Sequence, residues 1–254
     1  HNNLAWLMPA LVRSVLASLM AAMGLLPITG MMVGVKSMVN RAMVSVSYVK
    51  GVTTNPSLAA RAGVGGMEAY KTMIQEIASI IDGPISIEVI STDVEGMVTE
   101  GKDYATWISN PWIKLPSTLA GFEAMKVLSD EGIEINQTLC FSVNQAILGA
   151  QSGVTYVSPF VGRLDDGGHD GMNVVADIVD VFGFYDISTK VLAASIRSTL
   201  HCLNAAKAGA DVATVPFDVV NEYFVSQYSQ NIFSNFSTYS PSDETHPDFT
   251  ASVT

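Results

Sequence analysis

Apolar and polar positions along this chain follow two alternating periods. Short β-branched or apolar runs recur at residues 47–53, 85–90, 112–115, 133–140, 155–159, 190–194 and 211–215, each of strand length. Between them lie stretches with helical spacing. Over residues 66–81 the apolar positions Met67, Tyr70, Met73, Ile74, Ile77 and Ile81 share one face, and 118–130, 142–152 and 171–182 read the same way. Seven strands joined by helices, with 30–35 taken as an eighth, predict a parallel sheet. Eight such repeats in one domain favour a closed α/β barrel, the (β/α)8 TIM barrel, over an open sheet. No Gly-rich phosphate loop follows any strand, which makes a nucleotide-binding sheet the weaker reading. The expected organisation is an atypical apolar segment over 1–29, a single barrel domain over 30–225, and a tail over 226–254 rich in Ser, Thr, Asn and Pro.

Composition sharpens this picture at three points. With 48% hydrophobic and 15% charged residues, the 254-residue chain can bury a large core. Thirteen basic against twenty-four acidic residues give −11, which argues against nucleic acid as a partner, because a phosphate backbone needs a basic face. Two cysteines, Cys140 and Cys202, are too few for a disulfide framework and point to a reducing compartment, the cytoplasm. The charge is unevenly placed: Arg13, Lys36, Arg41, Lys50 and Arg61 all precede the first acid, Glu68. Residues 15–35 carry no charge and are long enough for a membrane span. Gly24, Pro27, Gly30 and Gly34 interrupt that run, and no Lys or Arg cluster flanks it, so it is read as a buried helix followed by a strand rather than a membrane anchor.

In an eight-stranded barrel the chemistry sits where strands end, so the polar residues closing each strand are the candidates. They are Thr53, Thr54 and Asn55; Glu88; Lys114; Asn136 and Thr138; Phe160 and Arg163; and Ser195 and Arg197. Lys114 lies within the apolar run Trp112-Ile-Lys-Leu-Pro116. Desolvating an ammonium is costly and favours the neutral amine, a nucleophile able to form a Schiff base with a carbonyl. A lone lysine there could equally snorkel to solvent. Its company argues for chemistry: Arg163 and Arg197, at two further strand ends, suit a phosphate group, and Glu88 could relay a proton through water to the lysine.

These residues carry a resemblance. Gly51-Val-Thr-Thr-Asn-Pro-Ser57, Trp112-Ile-Lys-Leu-Pro-Ser-Thr118, Asn136-Gln-Thr-Leu-Cys-Phe-Ser142, Ser158-Pro-Phe-Val-Gly-Arg-Leu-Asp-Asp166 and Ala193-Ala-Ser-Ile-Arg197 resemble, in order, the signatures of the transaldolase family in its short form, over about residues 50–223. The resemblance implies a (β/α)8 barrel with a Schiff-base lysine and no cofactor or metal. It implies transfer of a dihydroxyacetone unit from a ketose phosphate, such as fructose 6-phosphate or sedoheptulose 7-phosphate, to an aldose phosphate. Lys114 then matches the Schiff-base lysine, Glu88 the carboxylate acting through water, and Asn136 with Thr138 the pair that holds the intermediate and that water. Thr54 and Asn55 match the turn that binds substrate hydroxyls, and Arg163, Ser195 and Arg197 the phosphate site. Phe160 together with Glu88 resembles transaldolases, whereas the related fructose-6-phosphate aldolases have tyrosine and glutamine at these places. A homo-oligomer, pentamer or decamer, is also implied.

The N-terminal part departs from the pattern. The family carries an aspartate roughly eighteen residues before its Gly-Val-Thr-Thr-Asn-Pro motif, where this chain has Val33. The expectation is a chain that forms the Schiff base and turns over slowly, or one whose first fifty residues are not the native start. Aldolase-type cleavage and a non-catalytic sugar-phosphate-binding barrel remain alternatives. The Gly-rich loop with Asp165, Asp166, His169 and Asp170 reads as an ordinary loop rather than a metal site. Cys140 reads as a buried structural thiol, and His201 and His246 show no evident partners in the sequence.

Overall fold

The computed structural model describes residues 20–25, 28–30, 49–61, 63–216 and 218–220. Strands β1 (Met20–Leu25) and β2 (Ile28–Gly30) form an antiparallel hairpin. After them come β3 (Val52–Thr53), β4 (Ile85–Glu88), β5 (Pro111–Pro116), β6 (Ile135–Cys140), β7 (Tyr156–Pro159), β8 (Lys190–Ala193) and β9 (Val212–Pro216), each parallel to the next. Helices α1 (Pro56–Arg61) and α2 (Met67–Ala78) link β3 to β4, and α3 (Val94–Tyr104) links β4 to β5. They are followed in the same manner by α4 (Leu119–Asp130), α5 (Val143–Gln151), α6 (Val161–Asp166) with α7 (Gly171–Phe184), and α8 (Thr199–Lys207). The seven parallel strands and their helices make a (β/α) TIM barrel, as the repeat pattern predicts.

Its closing strand differs from the expectation. β1 lies antiparallel between β3 and β9 and pairs with both, so the barrel is closed by Met20–Leu25 and not by a parallel strand over 30–35. The first part of the apolar run was also expected to be helical, yet its described residues are strands. The physical reason is the seam: β3 and β9 each present an unpaired row of backbone N–H and C=O groups, and an apolar segment laid between them satisfies both rows. That demand outweighs the helical propensity of Met, Ala and Leu. Residues 31–35 and the tail over 226–254 lie outside the described residues. Among the described residues no helix is long and apolar enough to cross a membrane.

Strand alternation divides each strand between two environments. Ile85, Ile87, Ile113, Leu115, Ile135, Val157, Val191, Ala193, Ala213 and Val215 face outward and form one core with the helices. For α2 that core face is Tyr70, Met73, Ile74 and Ile77, at helical spacing. The intervening positions face the barrel axis. Low in the barrel, Tyr156 and Leu192 form a second, smaller cluster with Trp112 and Val212 against it, the Trp112 and Tyr156 rings 4.7 Å apart. Lys190 places its ammonium 6.0 Å from the Tyr156 ring. These side chains make an apolar floor, and the polar residues lie above it.

The loops that leave the strand ends are short and capped. Asp93, Thr118, Ser142, Asp170 and Ser198 each accept a backbone N–H at the start of the helix they precede. Gly121 shows how tightly one of these turns is drawn: a Cβ there would sit 1.9 Å from the Pro116 carbonyl oxygen, just beyond Lys114. Gly121→Ala is expected to cost about 2 kcal/mol through this overpacking. Thermal unfolding should show a Tm lower by about 4–8 °C; an unchanged Tm would mean that the turn is not held closed.

Candidate active site

Above the floor the inward positions are polar and bonded to one another. Asn136, fully buried, donates from its amide to Ser86 Oγ at 3.0 Å and accepts from Ser158 Oγ at 2.6 Å. Thr53 Oγ1 lies 2.8 Å from Thr214 Oγ1, tying the two strands that flank the seam. One step higher, Glu88 on β4 and Lys114 on β5 are direct Cα partners in the ladder, and Lys114 Nζ donates to Glu88 Oε2 at 2.8 Å. The pair is largely desolvated, with side-chain exposures of 9% for Lys114 and 17% for Glu88. Thr138, two positions beyond Asn136, is fully buried, and its hydroxyl has no partner among the described residues. A buried hydroxyl without a partner is a place for an ordered water.

Lys114 and Glu88 open into a cavity of about 590 Å³, which Asn55, Phe160, Arg163, Ser195 and Arg197 also line. The sequence-predicted residues therefore meet, with two qualifications. Thr54 turns outward: its hydroxyl donates to the Ser86 carbonyl and lies 2.7 Å from the Tyr70 hydroxyl, while Thr53 lines the cavity instead. Thr138 is buried and does not line the cavity. Asn55 divides its amide, Oδ1 capping α1 through the Leu58 N–H at 2.8 Å while the residue faces the cavity.

Arg163 stands in α6 and Arg197 on the loop after β8, and the two segments brace each other. Ser195 has φ of 58°, in the left-handed region that residues with a side chain seldom occupy, and its carbonyl accepts the Gly162 N–H. A Cβ on Gly162 would lie 2.3 Å from that carbonyl and 2.7 Å from Arg197 Cγ, so only glycine lets α6 and the loop after β8 approach. Arg197 donates to both carboxylate oxygens of Asp166, at 3.2 and 2.6 Å, and these bonds hold the Asp166 carboxyl below its usual range. His201, which lacks a partner on sequence grounds, lies 3.4 Å from Asp165 and accepts the Arg197 backbone N–H. Asp165 and Asp170 also cap the start of α7. His246 lies outside the described residues.

Sequence reasoning passed over Ser86, Ser158 and Tyr70. The serines stand two residues before Glu88 and Phe160, so strand parity marks them as facing the same axis. Tyr70 read as plain core because it falls on the apolar face of α2. In the structure its hydroxyl bonds Thr54 and the Glu88 backbone, and burial pushes its ionisation up. Cys140 is buried, as the sequence suggests, and burial pushes its thiol up to about 11.

A buried lysine and carboxylate at the carboxyl-terminal mouth of a parallel barrel, with two arginines on the rim, stand where barrel enzymes carry out their chemistry. The sequence profile of the Transaldolase/Fructose-6-phosphate aldolase family matches residues 34–249, and the chain belongs to that family. It is similar to a protein named probable transaldolase from Methanococcus maripaludis, 47% identical over 192 residues, or 76% of this chain and 87% of that one. Proteins of the same name from Carboxydothermus hydrogenoformans and Anaeromyxobacter dehalogenans are 50% and 52% identical, over 76% and 68% of this chain and 88% and 77% of theirs. The chain is thus an enzyme of transaldolase or aldolase type.

Two predictions follow from the buried groups. Tyr70→Phe removes one buried hydroxyl and should lower unfolding free energy in urea by about 1 kcal/mol; no loss would mean that the Thr54 contact carries nothing. The Cys140 thiol ionises near 9.0 when exposed and near 11 in the fold, so the folded state keeps its proton longer. That contribution is intact below pH 9 and is lost as the pH rises toward 11. Tyr156, raised to about 12 chiefly by burial, acts in the same direction higher up. The urea midpoint should hold from pH 7 to 9 and then fall; a midpoint that rises above pH 9 would contradict this.

Proposed function

We propose that the enzyme is a transaldolase that works through a Schiff base on Lys114, moving a dihydroxyacetone unit from a ketose phosphate to an aldose phosphate. The observation that carries this reading is the 2.8 Å contact between Lys114 Nζ and Glu88 Oε2 within a cavity that also holds two arginines. Passing one proton from Nζ to Glu88 gives a neutral amine and a carboxylic acid. The amine attacks the ketose C2, and the acid then protonates the carbinolamine oxygen so that it leaves as water. A water ordered by the unpartnered Thr138 hydroxyl suits this relay, and Asn136 suits the hydroxyl of the bound unit. Breaking C3–C4 sends the bonding pair toward the iminium and leaves an enamine, which attacks the acceptor aldehyde.

Transfer is favoured over release of free dihydroxyacetone by Phe160. Its ring lines the cavity, 5.7 Å from Phe141, and a phenyl ring offers no proton to an enamine waiting for its acceptor. Arg163 and Arg197 suit the phosphate of donor and acceptor. The place that Val33 takes by sequence lies outside the described residues.

Borohydride reduction in the presence of fructose 6-phosphate should leave a sugar-derived adduct on Lys114, read by peptide mass spectrometry, and Lys114→Met should leave none. Arg197→Ala should raise KM for the phosphorylated donor at least tenfold, with a much smaller effect on adduct formation from dihydroxyacetone. A wild-type protein that forms no adduct would sink the Schiff-base reading.

A further inference from the structure

Cleaving C3–C4 of the ketose requires something to accept the proton of the C4 hydroxyl as that carbon becomes an aldehyde. Among the described residues lining the cavity, the ionisable side chains are Glu88, Lys114, Arg163 and Arg197. Only one of these is a base once Lys114 is tied up as the iminium. Asp166, which pairs with Arg197, does not line the cavity and has both oxygens on that arginine. Nor can the strands closing the seam supply one, because β1 and β2 contain no ionisable residue. The hydroxyls of Thr53 and Ser158 are far too weakly basic.

We infer that Glu88 is the general base of the carbon–carbon cleavage as well as the proton relay of Schiff-base formation. This rests on the proposed chemistry of Lys114. The carboxylate is placed for two tasks because it has two oxygens. Oε2 holds the lysine nitrogen at 2.8 Å, and Oε1 takes part in no hydrogen bond among the described residues. The iminium keeps one N–H, so Oε2 stays on the nitrogen while Oε1 takes the C4 hydroxyl, which is separated from Nζ only by C2, C3 and C4. After dehydration Glu88 is again a carboxylate and the iminium carries the positive charge. The O4–H proton passes to Oε1, the O–H pair becomes the aldehyde C=O, and the C3–C4 pair becomes the C2–C3 double bond of a neutral enamine. Charge balances: iminium and carboxylate become enamine and carboxylic acid. When the enamine attacks the acceptor, that acid returns its proton to the new C4 oxygen. One carboxylate therefore stores the proton between the two half-reactions, with no exchange with solvent required.

The experiment reads the ratio of two adducts. Wild-type protein and Glu88→Gln are incubated with fructose 6-phosphate, reduced with borohydride, and the Lys114 peptide is weighed for the six-carbon phosphate adduct of uncleaved sugar and the three-carbon adduct left by cleavage. The ratio is internal to protein that has reacted, so neither slower Schiff-base formation nor a partly unfolded sample changes it. The three-carbon to six-carbon ratio should fall about 100-fold or more in Glu88→Gln, the loss expected for a general base. Glu88→Asp, which keeps the base but shortens its reach, should fall between, and it is the variant to read if Glu88→Gln forms no adduct. An unchanged ratio in the variants overturns the inference while leaving the Lys114 chemistry standing. A wild-type protein that traps only the six-carbon sugar overturns it too, since cleavage would then lack its base, whereas no adduct of either kind strikes at Lys114 itself.

Discussion

The contact between Lys114 and Glu88 is the constraint on which the rest of the mouth depends. Two charges withdrawn from water lose more than their attraction returns unless the geometry is close and other bonds assist. Here the strand ladder provides the closeness, because Glu88 and Lys114 face each other at the same level of adjacent strands. Neither side chain has to search for the other. A slip of one residue in β4 against β5 would turn one partner into the helix layer and leave the other charge stranded. Register, more than any local contact, is therefore what the surrounding hydroxyl and amide bonds protect.

Those bonds run across strands rather than along them. Asn136 spans from β4 to β7 through Ser86 and Ser158, and Thr53 meets Thr214 across the seam. On the outside of the wall, Tyr70 reaches from α2 to Thr54 and the Glu88 backbone. The mouth is thus held from within by short polar side chains and from without by one long aromatic one. Buried networks of this kind carry a penalty when any member is left unpaired, and the Thr138 hydroxyl stands out for that reason.

The barrel and most of its mouth were legible in the sequence because strand ends, apolar periods and ordered motifs coincide there. Lys114 in an apolar strand and the paired arginines needed no coordinates to be singled out. The direction of a side chain was harder. Thr53 closes a two-residue strand and Thr54 follows it, and parity cannot be fixed on so short an element, so the hydroxyl that lines the cavity was read one position late. The closing strand was illegible for a different reason. Nothing in an uncharged run of Met, Ala, Leu and Gly says which way it will lie against two free edges, and only the closed ring decides it. The ion pairs Asp166–Arg197 and Asp165–His201 join α6 to the loop after β8 and to α8, and no local pattern announces a contact over such a separation.

The apolar floor has a consequence for traffic. Trp112 and Tyr156, with Leu192 and Val212 beside them, stop the barrel from below. A molecule that enters at the mouth has to leave by the mouth. In the proposed transfer, the aldehyde cut from the first sugar occupies the doorway that the second sugar must use, so departure precedes arrival. A single entrance thus fits a ping-pong order for the proposed transfer, with the first product competing with the second substrate for the same doorway.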